Sequence, residues 1–524
     1  MKAEMHGSAQ SGRTALWLAL AAFLVFAATG GGRIAGSDEV TMFEVSSALL
    51  RGSVAVPEGA TLEGRDGRFY SKNAAGQALL ALPLVAAGET AARASGLPPE
   101  RRVLAARFVA SFFNAILTAA MLGAFYAGVR ALGVSAGASL AAALLLGFTT
   151  PTWVYAKSFM AEPMEALGML LALSGSASAL TGDARAVRLA ALGAFLAVSA
   201  KLVLIALVIP ALLPLLFRRS DGARVPGLAW VLGALALALA GQLVYNVARF
   251  GTPLETGYGA QVSPAAFRTP MLVGLYGLLL SSGKGVVWFA PAIVLAVPGL
   301  ARMTRRAGGD RNPRAVGARG AATAIVTSWI VGLLIYSRFE HWAGDGSFGP
   351  RYLVPLLPLA FVAVAFALDG ASRAMKRWAW VLAALGLAVQ IGGVFIYFGA
   401  QMREAGDYPY RLPLEDPRFM SDSHFNPRFS PIAGHWKMLA RNAGEHLRGE
   451  LPVITGGGAV DPRLGISPDE QRALLHGIDV WWLYARYAGV PALPLALALA
   501  LLIALAAWAG GRAATACHAE ARGG

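Results

Sequence analysis

The chain is short of cysteine and of charge. Cys517, its single cysteine, sits in the polar tail, so no intrachain disulfide can form and cysteine usage says nothing of the redox compartment. Asp, Glu, Lys and Arg make up 14% of the 524 residues, well below the roughly 25% of soluble domains. With 56% hydrophobic residues and a mean hydropathy of +0.55, the composition belongs to the membrane class. Acids are scarcer than bases, which leaves a formal net charge of +15. The bases fall in short loops between apolar spans rather than on a soluble module, which excludes nucleic-acid binding and points to membrane orientation instead. Seven histidines without paired ligand spacing give a metal site little support. No transporter-type internal repeat is visible. Ser281-Ser282-Gly283-Lys284-Gly285 lacks the full phosphate-loop pattern and is not a nucleotide site.

What is present is a series of apolar runs. A crossing helix needs about 20 mostly apolar residues. Runs of this kind predict twelve spans, near 14–31, 104–129, 136–154, 163–181, 187–200, 202–217, 226–248, 286–301, 320–337, 352–369, 378–399 and 489–510. Because so many spans follow, the first is expected to be an uncleaved helix rather than a signal peptide. Residues 77–95 are also apolar, but Glu89 and Arg93 interrupt them, and loop charge argues against a crossing there. If 77–95 stays at the interface, one side receives Lys2, Arg13, Arg130, Arg185, Arg188, Arg218, Arg219 and Arg224. The same side receives arginines 302, 305, 306, 311, 314 and 319, then Arg373, Lys376, Arg377, Arg512 and Arg522. Every short basic loop then lies on one face, the cytoplasmic one by the positive-inside rule.

The other face holds 32–103, 155–162, 249–285, 338–351 and 400–488. Between 401 and 487 there are ten Lys/Arg and eleven Asp/Glu, so that block lacks the basic bias of the inner loops. Its Pro, Gly and Asp content, Gly456-Gly457-Gly458 included, suggests a compact, loop-rich cap. The expected fold is an all-α polytopic membrane protein of about twelve spans with juxtamembrane helices and a small outer cap. Its parts are a membrane module over 1–400 with a first outer loop at 32–103, the cap at 401–488, and a last span and tail at 489–524.

Distinctive polar residues gather in the outer segments. Asp38-Glu39 follows the first span, and Ser37 is placed to cap a helix whose first turn carries both acids, favourably against the helix dipole. Met42, Val45 and Leu49 recur at helical spacing, so this helix is expected to lie at the interface with Asp38 near the membrane surface. Lys72 either pairs with a phosphate as a point charge or snorkels at the interface. Arg351 and Lys284 divide the same way, between phosphate contact and simple anchoring. Trp342 either stacks on a sugar face or belongs to an interfacial aromatic belt, which is also the reading for Trp481, Trp482 and Tyr484. His424 and His435 read as ordinary cap residues.

These motifs, in this order, resemble the GT-C class of integral-membrane glycosyltransferases. The resemblance is to the family 39-like branch, which contains protein O-mannosyltransferases, the lipid A aminoarabinose transferase and many bacterial relatives. Its members carry an Asp-Glu pair in the first periplasmic loop, here Asp38-Glu39, although Phe43 stands where they have tyrosine. They carry an aromatic–x–Lys–Pro–Pro stretch before an amphipathic helix; here Tyr70-Ser71-Lys72 is kept and Asn73-Ala74 replaces the prolines. A second acid follows the third span, here Glu162. The likeness extends to Asn246–Tyr258 and Gly344–Tyr352, and so covers most of 14–400.

The resemblance implies a GT-C-like bundle in a bacterial inner membrane with its site facing the periplasm. There an acceptor hydroxyl would attack the anomeric carbon of a polyprenyl-phosphate-linked sugar, with inversion. The acceptor would be a lipid, a polysaccharide or a protein. Asp38 would be the base, and Glu39 and Glu162 would orient the acceptor or bind a divalent metal ion. Lys72, Arg351 and Lys284 would hold the phosphate, with Tyr70, His341, Trp342 and Asp345 in the substrate pocket. His341 and Asp345 are the residues that would join Glu162 in a divalent-metal site, and no other cofactor is implied. A transporter or lipid-linked sugar flippase, and an enzyme relic now serving as a scaffold, are the competing readings.

Overall fold

The computed structural model describes all residues except 1, 60, 260–262, 307–310, 407–415, 417, 419, 456–466 and 524; the expected Gly456-Gly457-Gly458 turn lies outside the described residues. The chain is an all-α polytopic membrane protein. Eight helical segments are long and apolar enough to cross a bilayer: Gln10–Thr29, Arg101–Ala131, Glu162–Leu180, Leu228–Phe250, Pro313–Arg338, Arg351–Leu368, Arg373–Phe395 and Ala492–Arg522. All eight coincide with expected spans.

In chain order the first elements are α1 (Lys2–Thr29), α2 (Ser37–Leu50), the paired strands β1 (Leu62–Glu63) and β2 (Phe69–Tyr70), α3 (Gly76–Ala94), α4 (Pro99–Ala110), α5 (Phe113–Ala131), α6 (Ala136–Phe148), α7 (Thr152–Ala156), α8 (Glu162–Leu180) and α9 (Ala186–Ala200). Next come α10 (Ile205–Ala211), α11 (Leu228–Phe250), α12 (Met271–Leu280), α13 (Val286–Phe289), α14 (Ala296–Thr304), α15 (Pro313–Arg338), α16 (Leu357–Leu368) and α17 (Arg373–Phe395). The segment between α17 and α23, called the cap below, carries α18 (Phe398–Ala405), α19 (Ser421–Phe425), α20 (Pro431–Leu447), α21 (Pro468–His476) and α22 (Trp481–Tyr487), and α23 (Ala492–Gly523) holds the last stretch apolar enough to cross.

The other four expected spans are shorter or broken. Near 136–154 and 187–200 stand the short helices α6 and α9. The run 202–217 is split into 3-10, α and 3-10 pieces around Pro210 and Pro214, and 286–301 is split at Pro291. Proline supplies no N–H and crowds the preceding turn, so such runs do not continue as one helix. One apolar helix was not expected: α12, inside the outer segment 249–285, spans only about 15 Å and does not cross.

Side-chain contacts gather several of the loops at two ends of the bundle. At the basic end, Glu520 near the C-terminus meets Arg130 at 2.6 Å and Thr14 at 3.3 Å. Arg306 donates to the carbonyl of Leu132, and Arg302 to that of Asp369, whose carboxylate in turn accepts from Ser135 N. At the opposite end, Trp481 N bonds Gly30 O, Lys157 pairs with Asp479, and Arg351 reaches Asp38. Helix α3 has both ends at this second end: Gln77 donates to Phe159 O, and Arg101, just beyond α3, donates to Thr455 O in the cap. It holds Pro83, packs Gly88 against Ala106 of α4, and is not among the helices apolar enough to cross a bilayer.

Candidate active site

The site is assembled where the outer segments meet. Helix α2 starts directly after Gly36, which is the N-cap in place of the expected Ser37. Glu39, three residues on, turns back to accept the Gly36 N–H at 2.8 Å, while its other oxygen accepts the Phe159 N–H at 2.6 Å. These bonds anchor α2 to the loop before α8 and occupy both oxygens of Glu39. Asp38, the neighbouring residue, points elsewhere because consecutive helical side chains diverge by about 100°. Its carboxylate meets Arg351, with Nη1 and Nη2 each 3.3 Å from Oδ2.

Arg351 opens the crossing 351–368 and also donates Nε to Glu162 at 2.5 Å. The side chains of Asp38, Arg351 and Glu162 are 27%, 16% and 1% exposed. The guanidinium therefore joins a buried acid at the head of α8 to a solvent-accessible one on α2. Burial acts to raise the pKa of Asp38, but Arg351, with Lys72 and Lys201 further off, outweighs it and holds the carboxyl below its ordinary value.

A cavity of about 430 Å³ opens beside this pair. The bundle contributes Asp38, Lys72, Asp345 and Arg351 to its wall, and the cap contributes Tyr397, Phe398, Met402 and Leu474 among others. One wall is thus charged and the facing wall largely apolar. Lys72 stands 5.6 Å from the ring centroid of Tyr258.

Other expected site residues lie outside this cavity. Tyr70 is buried between the β1–β2 ribbon and Phe250, and its hydroxyl donates to Asp66 at 2.7 Å. Lys284 spends its ammonium on the Asp345 and Ser347 carbonyls and the Ser347 hydroxyl, bracing the 345–347 turn from behind. Trp342 packs against Gly277, His424 and Phe425 and presents no free face to a sugar. His341 is buried next to the cavity and touches Asp345 at 3.3 Å and Glu340 at 3.5 Å. Burial lowers its pKa, yet the two acids outweigh that and raise it overall.

Residues not singled out from the sequence complete the surroundings. Lys201, at the break between α9 and the split run 202–216, lies 4.8 Å from the Tyr352 ring centroid, and Tyr352 stacks on Tyr336. Glu165 is one turn below Glu162 and fully buried. A pair of acids three apart in an apolar helix, and a lone lysine between two apolar runs, are signals the sequence did contain. Behind the site, Asp479 of the cap bonds Arg33 at 2.7 Å and Lys157 at 2.9 Å. Burial alone would raise the Asp479 carboxyl, but Arg33 and Lys157 bring it down to about 2. This buried triad fixes the return of the cap over α1.

The donor set does not fit a divalent metal ion. A guanidinium fills the space between Asp38 and Glu162, Glu39 is committed to backbone N–H groups, and His341 already contacts two acids. Among the described residues, no group of three or more His, Cys, Asp or Glu side chains is placed to hold a metal.

No family model matches the sequence, and no curated protein matches it. Among solved structures, the chain is similar to the apo crystal structure of the oligosaccharyltransferase of Archaeoglobus fulgidus, with a TM-score of 0.40, 13% identity, and coverage of 77% of this chain and 60% of that one. It is also similar to oligosaccharyltransferase AglB of the same organism in complex with an inhibitory peptide and a dolichol-phosphate, with a TM-score of 0.37, 13% identity, and coverage of 76% and 57%. The chain therefore spans 60% or less of the length of these proteins.

Proposed function

We propose that the protein is a membrane glycosyltransferase that moves a monosaccharide from a polyprenyl-phosphate donor to a hydroxyl acceptor on the non-cytoplasmic side. The observation that carries this reading is the Asp38–Arg351 pair on the wall of a cavity, with Glu162 bonded to Arg351 beneath it, at the end of the bundle opposite the basic loops. The ordered motif resemblance supports it independently.

In the reaction, the acceptor oxygen bonds to the anomeric carbon as the bond from that carbon to the phosphate oxygen breaks. The acceptor proton passes to Asp38, and the electron pair of the broken bond leaves with polyprenyl phosphate. An ionised carboxylate suits the base, and Asp38 is kept ionised by its cationic surroundings. Arg351 aligns the Asp38 carboxylate, while Lys72 supplies a cation on the same wall for the leaving phosphate. Glu162 fixes the orientation of Arg351 from below. Attack on the face opposite the phosphate inverts the configuration.

Deletion of the gene followed by mass analysis of polyprenyl lipids and surface glycans tests the proposal. Accumulation of one carrier-linked sugar with loss of the matching glycan is expected. A flippase or transporter is indicated instead if the reconstituted protein moves lipid-linked sugar or solute across vesicles without altering a glycosidic bond.

A further inference from the structure

A second buried cation takes no part in the chemistry above. Arg249, in the last turn of α11, is 2% exposed, yet the bonds of its guanidinium go to neutral oxygens. Nη1 donates to the Ser71 carbonyl, Nη2 to Asn246 Oδ1 at 2.7 Å, and Nε to the Tyr245 carbonyl at 3.4 Å. The rings of Tyr245 and Phe250 cover it at 4.1 and 4.8 Å. Among the described residues no carboxylate pairs with it. Burying a charge without a counter-ion is costly, and a neutral side chain of similar length would fill the same space without that cost. Packing alone does not account for an arginine here.

What the charge does is close a seam. Ser71 immediately precedes Lys72, which lines the cavity. Asn246, the second partner, donates its amide to Pro253 O at 2.8 Å and so shapes the loop that leads to Tyr258. Tyr258 in turn donates to Asn73 at 3.4 Å and lies under the Lys72 ammonium. At Gly64 a Cβ would stand 2.4 Å from the Tyr70 ring and 2.8 Å from the Arg249 carbonyl, so the ribbon closes tightly on the end of α11. Two outer segments, 62–74 and 246–258, are thus joined with Arg249 at their contact and Lys72 on the cavity side.

We propose that Arg249 is a positioning residue: through the Ser71 carbonyl it holds the Lys72 ammonium where the anionic group of a lipid-linked ligand arrives. The proposal rests on the reading of Lys72 as a phosphate contact, and its test separates the two. Full-length protein in nanodiscs is compared as wild type, Arg249→Lys, Lys72→Met and the double variant. The readouts are hydrogen exchange of segment 68–74 without ligand and the Kd for undecaprenyl phosphate. Arg249→Lys is expected to speed exchange in 68–74 and to weaken binding about tenfold, Lys72→Met to weaken it similarly, and the double variant to be within about twofold of Lys72→Met. Losses that multiply in the double variant, or unchanged exchange and binding in Arg249→Lys, overturn the positioning role. Wild-type binding by Lys72→Met overturns the phosphate reading of Lys72 instead, whatever Arg249→Lys does to exchange. If Arg249→Lys does not fold, Asn246→Ala, which removes the Nη2 acceptor together with the amide donated to Pro253 O, gives the same two readouts.

Discussion

Replacing Arg351 by methionine should destabilise the protein more than any comparable change at a lipid-facing position. The guanidinium is bonded to Glu162 at 2.5 Å and to Asp38 at 3.3 Å, and the Glu162 side chain is 1% exposed. Without Arg351, the Glu162 carboxyl group is left in a dry setting with no cation against it, Oε1 newly unpaired and Oε2 already lacking a partner. Removing one member of a buried pair in this way costs roughly 3–5 kcal/mol. The longer, more exposed Asp38 contact adds on the order of 0–1 kcal/mol. Adding Glu162→Gln removes the stranded charge, so the double variant should recover much of the loss and show a coupling energy of about 2 kcal/mol or more. Unfolding titrations with SDS in mixed micelles, followed by tryptophan fluorescence, give the four corners of the cycle. Single losses that add to within about 0.5 kcal/mol would refute the pairing as an energetic unit.

Three further outcomes follow from local geometry. Because the folded pKa of Asp38 lies below its ordinary value, its ionised form is full above roughly pH 4 and is lost only as pH falls through the folded value, so kcat/KM should be flat between about pH 5 and 7. Arg351→Gln should bring an acid limb up toward that window; a wild-type limb near pH 6 that vanishes in Asp38→Glu would contradict this. His341 has the opposite sign: its raised folded pKa gives stability that is complete below about pH 6.5 and fades as pH rises through the folded value. The stability difference between wild type and His341→Gln should therefore shrink as pH rises above about 6.5, and a constant difference would count against the Asp345 and Glu340 contacts. At Gly274 a Cβ would stand 2.0 Å from the Ser337 carbonyl, so Gly274→Ala should cost roughly 1–3 kcal/mol by forcing α12 off α15. Gly233→Ala, with nothing within 4 Å, is the control and should be neutral or stabilising by up to about 1 kcal/mol in the same titration.

The crossing pattern was legible because two signals agree, apolar length and loop charge. The exclusion of 77–95 shows the second at work: its length suits a crossing, but Glu89 and Arg93 interrupt it and the charge of the loops that follow argues for both of its ends on one side. Helix breaks were less legible, since Pro210, Pro214 and Pro291 interrupt runs whose overall hydropathy is unchanged. In the site, Asp38 and Arg351 come together as the motifs imply, yet they are 313 positions apart and only tertiary packing joins them. Adjacent acids are the harder case. Glu39 is the N3 residue of a cap at Gly36, a local signal the sequence held, whereas the expected cap at Ser37 hid it. Tyr70, Lys284 and Trp342 carry motif-like surroundings, but their neighbours turn them into structural supports, which spacing alone does not reveal. At Arg249 a basic residue at a helix end reads as an anchor, whereas its burial is set by the ribbon folded over it.

One comparison tests the base most directly. Wild type and Asp38→Asn are supplied with the carrier-linked sugar that accumulates in the deletion strain, and release of polyprenyl phosphate is timed. Loss of the carboxylate should slow release about 10²–10⁴-fold while donor binding and the unfolding midpoint stay near wild type. Undiminished turnover in Asp38→Asn would contradict the role given to this acid and, with it, the mechanism built around Arg351.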